Sequence, residues 1–252
     1  GACAATGGVA GTHVQRGDDA EVTRARSIPF PPLGGLARIG LGTVNFSTAR
    51  RDAAFAILDA WLDLGGDVIG SAARYGFGES ESVLGSWLAA RGTRGQVVLL
   101  TKGGHPDPAW RSRLDPEAVS ADLSGSLERL GTASVDIFML HRDDPAIPVG
   151  ELVDVLHEQV VAGRARTVGV SNWTITRLEA AIADASARGR TPITSSSVYV
   201  GLAPWREPPW PGCVDGLDEP SRSWYARPGA LPNVAWSAQS GGVFAGDFDP
   251  AR

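Results

Sequence analysis

Apolar and polar positions follow two alternating rhythms along this chain. Short apolar runs, such as Val97-Val98-Leu99-Leu100-Thr101 and Ile137-Phe138-Met139-Leu140, are separated by longer stretches of helical spacing. The short runs read as buried strands. Over 51–64, Ala54, Phe55, Leu58, Trp61 and Leu62 fall close to the helical period, and Gly65-Gly66 stops the helix. The same reasoning predicts strands over 38–43, 67–69, 97–101, 135–140, 167–170, 193–197 and 233–237. It predicts helices over 51–64, 79–90, 115–130, 149–162 and 174–187. Asp115-Pro116-Glu117 offers a capping residue and a proline at the first helical position. Gly131, Gly163 and Gly189 each close a helix.

Strands that alternate with helices, and are apolar nearly throughout, call for an α/β fold with a covered parallel sheet. A closed (β/α)8 barrel and an open doubly wound sheet both satisfy this. No G-x-G-x-x-G follows the first strand and no Walker loop occurs, which favours the TIM-type (β/α)8 barrel. About seven β/α units are legible and no eighth, so the barrel is expected to be incomplete, with unpaired edges at its first and seventh strands that favour association. The expected organisation is a flexible Gly/Ala-rich segment over 1–28 and a barrel domain over 29–252. The stretch 201–232 holds seven of the 17 prolines, with Trp205, Trp210 and Trp224. A connection this long, rich in tryptophan, predicts an ordered flap.

Composition narrows the functions. The chain has 252 residues, enough for one large domain, with 43% hydrophobic and 20% charged residues. A net charge of −5 argues against nucleic acid or an anionic membrane as partner. No apolar run reaches spanning length. No basic segment marks a signal peptide at the start, and Cys3 and Cys213 are too few for a disulfide framework. A cytoplasmic protein acting on a small molecule is expected.

Candidate chemistry sits at three strand ends. Tyr75 follows the second predicted strand, Lys102 ends the third and His141 ends the fourth. In a barrel these positions converge at one mouth, and a phenol, an amine and an imidazole there suit proton transfer. A free phenol with a pKa of about 10 is a poor acid at neutral pH; a neighbouring ammonium favours the phenolate and makes it a better one. Lys102 alone is also a candidate Schiff-base nucleophile for an aldolase. His141, Asp143 and Asp144 lack the spacing of a metal site, and no metal is expected.

Five motifs occur in order: Gly40-Leu41-Gly42-Thr43, Ser71-Ala72-Ala73-Arg74-Tyr75-Gly76, Thr101-Lys102-Gly103-Gly104, Leu140-His141-Arg142-Asp143-Asp144-Pro145 and Gly169-Val170-Ser171-Asn172-Trp173. Together they resemble the aldo-keto reductases over roughly residues 36 to 250, and Pro209-Trp210-Pro211-Gly212-Cys213 with Ala235-Trp236-Ser237-Ala238-Gln239 resemble a bacterial subgroup. The resemblance implies an eight-stranded barrel that binds NADPH and reduces an aldehyde or ketone. It implies Tyr75 as proton donor, Lys102 as its partner and His141 as the group that orients the carbonyl. Gly42 and Thr43 would flank the cofactor, and Ser171 and Asn172 would bind its carboxamide. Trp236 would stack on the nicotinamide, where the family usually has tyrosine, and Ser237 and Gln239 would lie near the pyrophosphate. Ser196 stands where many members place a glutamine for the carboxamide.

A larger departure from the family stands at Gly70. Where the family reads Asp-Thr-Ala or Asp-Ser-Ala, this chain reads Gly70-Ser71-Ala72, so the acid that pairs with the lysine is missing. Asp67, three positions earlier, belongs to the opposite strand face. The remaining candidate acids are Asp143 and Asp144, in the turn that follows His141. The expectation is a reductase impaired by Gly70. The alternative is a barrel that binds cofactor or partner without catalysis.

Overall fold

The structure, a computed structural model, describes residues 27–30 and 33–245. Most of the segment expected to be flexible lies outside the described residues. Its proposed boundary at residue 28 falls inside a strand: Ser27–Phe30 (β1) pairs antiparallel with Gly34–Ala37 (β2). The sequence pattern had not revealed this hairpin.

Six parallel strands follow, neighbours in chain order: Leu41–Gly42 (β3), Val68–Gly70 (β4), Val98–Gly103 (β5), Val135–Leu140 (β6), Ala165–Ser171 (β7) and Ile193–Ser197 (β8). The crossovers are Arg51–Asp63 (α1), Glu79–Arg91 (α2), Pro116–Leu130 (α3), Val149–Val161 (α4) and Ile175–Ala187 (α5). This is the predicted barrel order over six strands. Helix starts are set as the sequence suggested: Asp115 accepts from the Ala118 amide at 2.8 Å, and Thr174 caps α5 through Arg177 N.

Two predicted strands are shorter than expected. The strand over 38–43 is reduced to β3. The seventh, over 233–237, survives as two isolated parallel bridges to the β8 side, Ser196 to Asn233 and Tyr199 to Trp236. Asn233 gives the reason: its side-chain Oδ1 accepts the Val198 amide at 3.0 Å, which interrupts the backbone ladder.

Period-two alternation divides the core. One parity of the strands (Leu99, Phe138, Leu140, Val168, Val170) packs against Leu58, Leu84, Trp87 and Leu178 of the helices. The other parity (Val68, Leu100, Ile137, Met139) faces inward and meets Phe30 and Leu36 of the hairpin. The hairpin thus plugs the amino-terminal end, tied down where Asp67 accepts from the Ala37 amide at 3.0 Å. Burying its Phe30 and Leu36 contributes roughly 1.5–3 kcal/mol each.

Helices α2 and α3 touch backbone to backbone at Gly85. A Cβ there would stand 2.1 Å from the Arg129 carbonyl oxygen, so only glycine permits the crossing. That contact sets how closely α2 and α3 approach. The flap also has structure: Glu219–Tyr225 (α6) is capped by Asp218, which accepts from Ser221 N at 2.7 Å.

Candidate active site

The inward parity leads directly to the site. On β5, Leu100 belongs to the plug and Lys102 is the next inward position. On β6, Met139 belongs to the plug and His141 is the next inward position, just past the strand. Gly70 stands above Val68 in the same way and is paired with Leu100. Lys102 and His141 are both buried, at 7% and 8% exposure. The His141 amide donates to Gly103 O at 2.8 Å, which ties the two strand ends together.

Tyr75 arrives from a tight connection. Tyr75–Gly78 forms a 3-10 segment in which Gly76, Phe77 and Gly78 all have positive φ, at 55°, 53° and 100°. Phe77 is a strained position for a residue with a side chain, and that side chain is 81% exposed. The turn delivers the phenol to the lysine. Lys102 Nζ lies 3.2 Å from the Tyr75 hydroxyl and also donates to Ser71 O at 3.1 Å. The His141 ring meets Tyr75 edge-on, with centroids 5.7 Å apart. The three residues singled out in the sequence therefore converge on one point.

No carboxylate joins them. Among the described residues none lies within ion-pair distance of Lys102. Asp67 is engaged at the barrel floor, as its strand parity required. Asp143 is paired with Arg177 at 3.0 Å, and Asp144 accepts from the Ala146 amide. Neither reaches the site. The backbone does not require glycine at 70: a Cβ there would find nothing closer than Leu41 O at 3.9 Å.

His141 is held neutral. Burial pushes its pKa well below the ordinary value, helped by the positive fields of Lys102, His105, Arg142 and Arg74. Its Nδ1 has no hydrogen-bond partner. A neutral imidazole offers one N–H donor, the form suited to orienting a carbonyl oxygen. His105 packs edge-on against it at 4.9 Å and is also pushed down, chiefly by burial. His105, Arg74, Arg142 and the Ser71 carbonyl were not predicted as site groups. Arg142 adjoins His141 in sequence, and its burial was the only missing clue.

The residues expected around a cofactor sit at the same end of the sheet but are not equally free. Ser171 ends β7 and Asn172 follows it, both buried, with Asn172 at φ 60°. Ser171 Oγ donates to Ser197 O and accepts from Asn172 Nδ2, while Asn172 Oδ1 accepts from Val214 N of the flap. The amide keeps one N–H and one lone pair for a ligand, which fits a carboxamide. Trp236 is half-buried among Tyr199, Trp205 and Trp210, its Nε1 without a partner. Ser237 and Gln239 are exposed.

Gly42 and Thr43 lie on the far edge of the sheet, with three strands between β3 and β7. The Thr43 hydroxyl is committed to Ser80 Oγ at 2.6 Å and Gly70 O at 3.2 Å. Ser196 is committed too, to the Tyr225 hydroxyl at 2.8 Å. Among the described residues no helix is long and apolar enough to cross a membrane, and no group of three or more His, Cys, Asp and Glu is arranged to hold a metal.

Comparison with known proteins decides the family. Residues 38–209, more than half of the chain, match the aldo/keto reductase family model. The chain belongs to the aldo/keto reductase family. It is 31% identical over 153 residues to aldo-keto reductase YhdN of Bacillus subtilis, covering 57% of this chain and 45% of that protein. It is 30% identical over 223 residues to the uncharacterized oxidoreductase YrpG of the same organism, covering 84% of this chain and 65% of that one. A crystal structure of an aldo/keto reductase from Klebsiella pneumoniae in complex with NADP and acetate superposes with a TM-score of 0.67 at 28% identity. That match covers 84% of this chain and 67% of the other. The chain spans about half the length of the first curated relatives it matches. The parallel strands in barrel order, with helices alternating between them, agree with that superposition.

Proposed function

We propose that this chain carries the catalytic part of a reductase that converts an aldehyde or ketone to an alcohol with NADPH. The observation that supports this best is the 3.2 Å contact between Lys102 Nζ and the Tyr75 hydroxyl, with neutral His141 edge-on to the phenol. NADP in the Klebsiella pneumoniae relative supports the choice of cofactor. When bound, the cofactor supplies a hydride; the chain acts at the carbonyl oxygen. Tyr75 gives its proton to the developing alkoxide, and Lys102 favours the phenolate left behind. His141 orients the carbonyl through its N–H. Asn172 and Ser171 would hold the carboxamide and Trp236 one face of the nicotinamide. Gly42, Ser237 and Gln239 would lie along the rest of the cofactor.

Gly70 is read as a handicap on this site. A carboxylate there would pair with Lys102 and fix its ammonium beside the phenol. Substituting Gly70→Asp, for which the backbone has room at Cβ, is expected to raise carbonyl-dependent NADPH oxidation about tenfold or more, the worth of one well-placed buried ion pair. Unchanged turnover would remove Gly70 from the account. The missing acid also motivates a second reading, a barrel that binds cofactor without turnover. Saturable NADPH quenching of tryptophan fluorescence with no oxidation on any carbonyl would favour it. A Schiff-base aldolase is tested by borohydride trapping of Lys102 with a carbonyl compound; no labelled lysine is expected.

A further inference from the structure

We infer that the carbonyl substrate of this site carries a carboxylate, held by Arg142 and Arg74. This rests on the reductase reading above and names its substrate class. Positive charge near this site is unbalanced. Arg142 is buried, at 7% exposure, and its Nε has no hydrogen-bond partner. Its positive charge acts on the thiol of Cys213, in the flap. Among the described residues no carboxylate lies within ion-pair distance of Arg142, Arg74 or Lys102. A buried guanidinium without an anion is costly, and is retained where an anion completes it.

The nearby acids are already spent. Asp122 holds Arg113 at 2.7 Å and accepts from Gly104 N. Asp143 holds Arg177. Glu79 is exposed and accepts from Thr48. Two of the surplus cations, Arg74 and Lys102, line an opening, and Arg142 lies behind it. A cavity of about 200 Å³ is lined by Arg74, Lys102, His105 and Phe77, with the neutralised Arg113–Asp122 pair at its wall. Arg74 Cζ lies 4.0 Å from the centre of the Phe77 ring, so the strained turn helps to place it. Arg142 follows His141 in the chain, and His141 contacts both Tyr75 and His105. The positive charges of Arg142 and Arg74 both act on His141 and on His105, which places the two guanidiniums on either side of the carbonyl site. The cavity is small, and a planar carboxylate matches a guanidinium in two parallel hydrogen bonds.

Two aldehydes of equal size separate this inference from the reading it rests on: para-formylbenzoate, which is anionic, and para-tolualdehyde, which is neutral. The whole chain is assayed with NADPH and each aldehyde. The expected kcat/KM for the anion is at least about tenfold higher, with the difference in KM. Arg142→Met should bring the ratio towards one, Arg142→Lys should restore part of it, and added salt should lower it. Equal use of both aldehydes by the wild type overturns the inference and leaves the reductase intact. So does an Arg142→Met variant that weakens NADPH and not the anion, since the guanidinium would then serve the cofactor. If neither aldehyde is reduced, the reductase reading fails, and fluorescence titration with para-methylbenzoate decides the anion site alone. Saturable quenching that Arg142→Met abolishes supports it, and no saturable quenching overturns it.

Discussion

Lys102 donates at once to a backbone carbonyl and to a phenol, and this double commitment defines the site. Ser71 O anchors the ammonium from one side and Tyr75 receives it on the other. The lysine therefore holds its place without a carboxylate, though with less restraint than an ion pair would give. Replacing Lys102 with methionine keeps the length and removes the charge. Turnover is expected to fall about 10²-fold or more, the usual contribution of a group that tunes a proton donor; steady-state kinetics with a saturating aldehyde checks this. His141 makes a separate prediction. Its folded pKa is depressed by burial, so the unfolded chain binds its proton first as pH falls. Stability should be unaffected above the ordinary value near 6.5 and decline below it, by up to about 1.4 kcal/mol per pH unit for one proton. Urea unfolding between pH 7.5 and 5.5, a window set by the ordinary imidazole pKa of about 6.5, should show a shallower decline in His141→Gln. Some slope should remain there, because His105 is shifted the same way. Identical slopes would mean that His141 is not held neutral.

At the scale of elements, parity within strands explains most of what the sequence revealed. Leu100 and Lys102, and Met139 and His141, are two residues apart, so a buried plug below dictates a functional mouth above. The same rule excluded Asp67. What the pattern missed has local causes. The β1–β2 hairpin carries Pro29 in an edge strand and Gly34-Gly35 in its partner, composition that reads as turn. Helix α6 begins with Asp218-Glu219-Pro220, nearly the signature that revealed α3, but the surrounding prolines hid it. The commitment of the Thr43 and Ser196 hydroxyls to Ser80 and Tyr225 depends on contacts across elements, which no local pattern encodes. A second such contact makes a stability prediction. Glu81, fully buried on α2, binds Arg129 of α3 at 2.7 Å and accepts from Thr101 of β5. Replacing Arg129 with methionine strands that carboxylate and should cost about 3–5 kcal/mol. Thermal or urea unfolding reads it, and an unchanged midpoint would contradict the network's role.

The whole molecule joins a plugged floor, a parallel sheet in barrel order and a flap that closes over one side of the mouth. The flap is tied in by aromatics, Tyr199 stacking on Trp205 at 4.0 Å, and by Val214 N on Asn172. Asn172, which we propose holds the cofactor carboxamide, is thus also bonded to the flap, and on that proposal NADPH binding should quench the Trp236 cluster. On the opposite side, Ile39 and Val44 flank β3 at 71% and 55% exposure, and no described strand covers its outer edge. As a 252-residue polypeptide the chain is expected to associate through that edge. Light scattering that shows a monomer at all concentrations would count against this. The proposed chemistry turns on Tyr75 donating a proton to a carbonyl oxygen. Carbonyl-dependent NADPH oxidation by the wild type and by Tyr75→Phe, measured side by side with intact cofactor binding in both, tests this most directly. The expected result is measurable turnover that falls about 10²–10⁴-fold on losing one hydroxyl. Equal turnover in the two proteins, or NADPH bound without oxidation on any aldehyde, would contradict it.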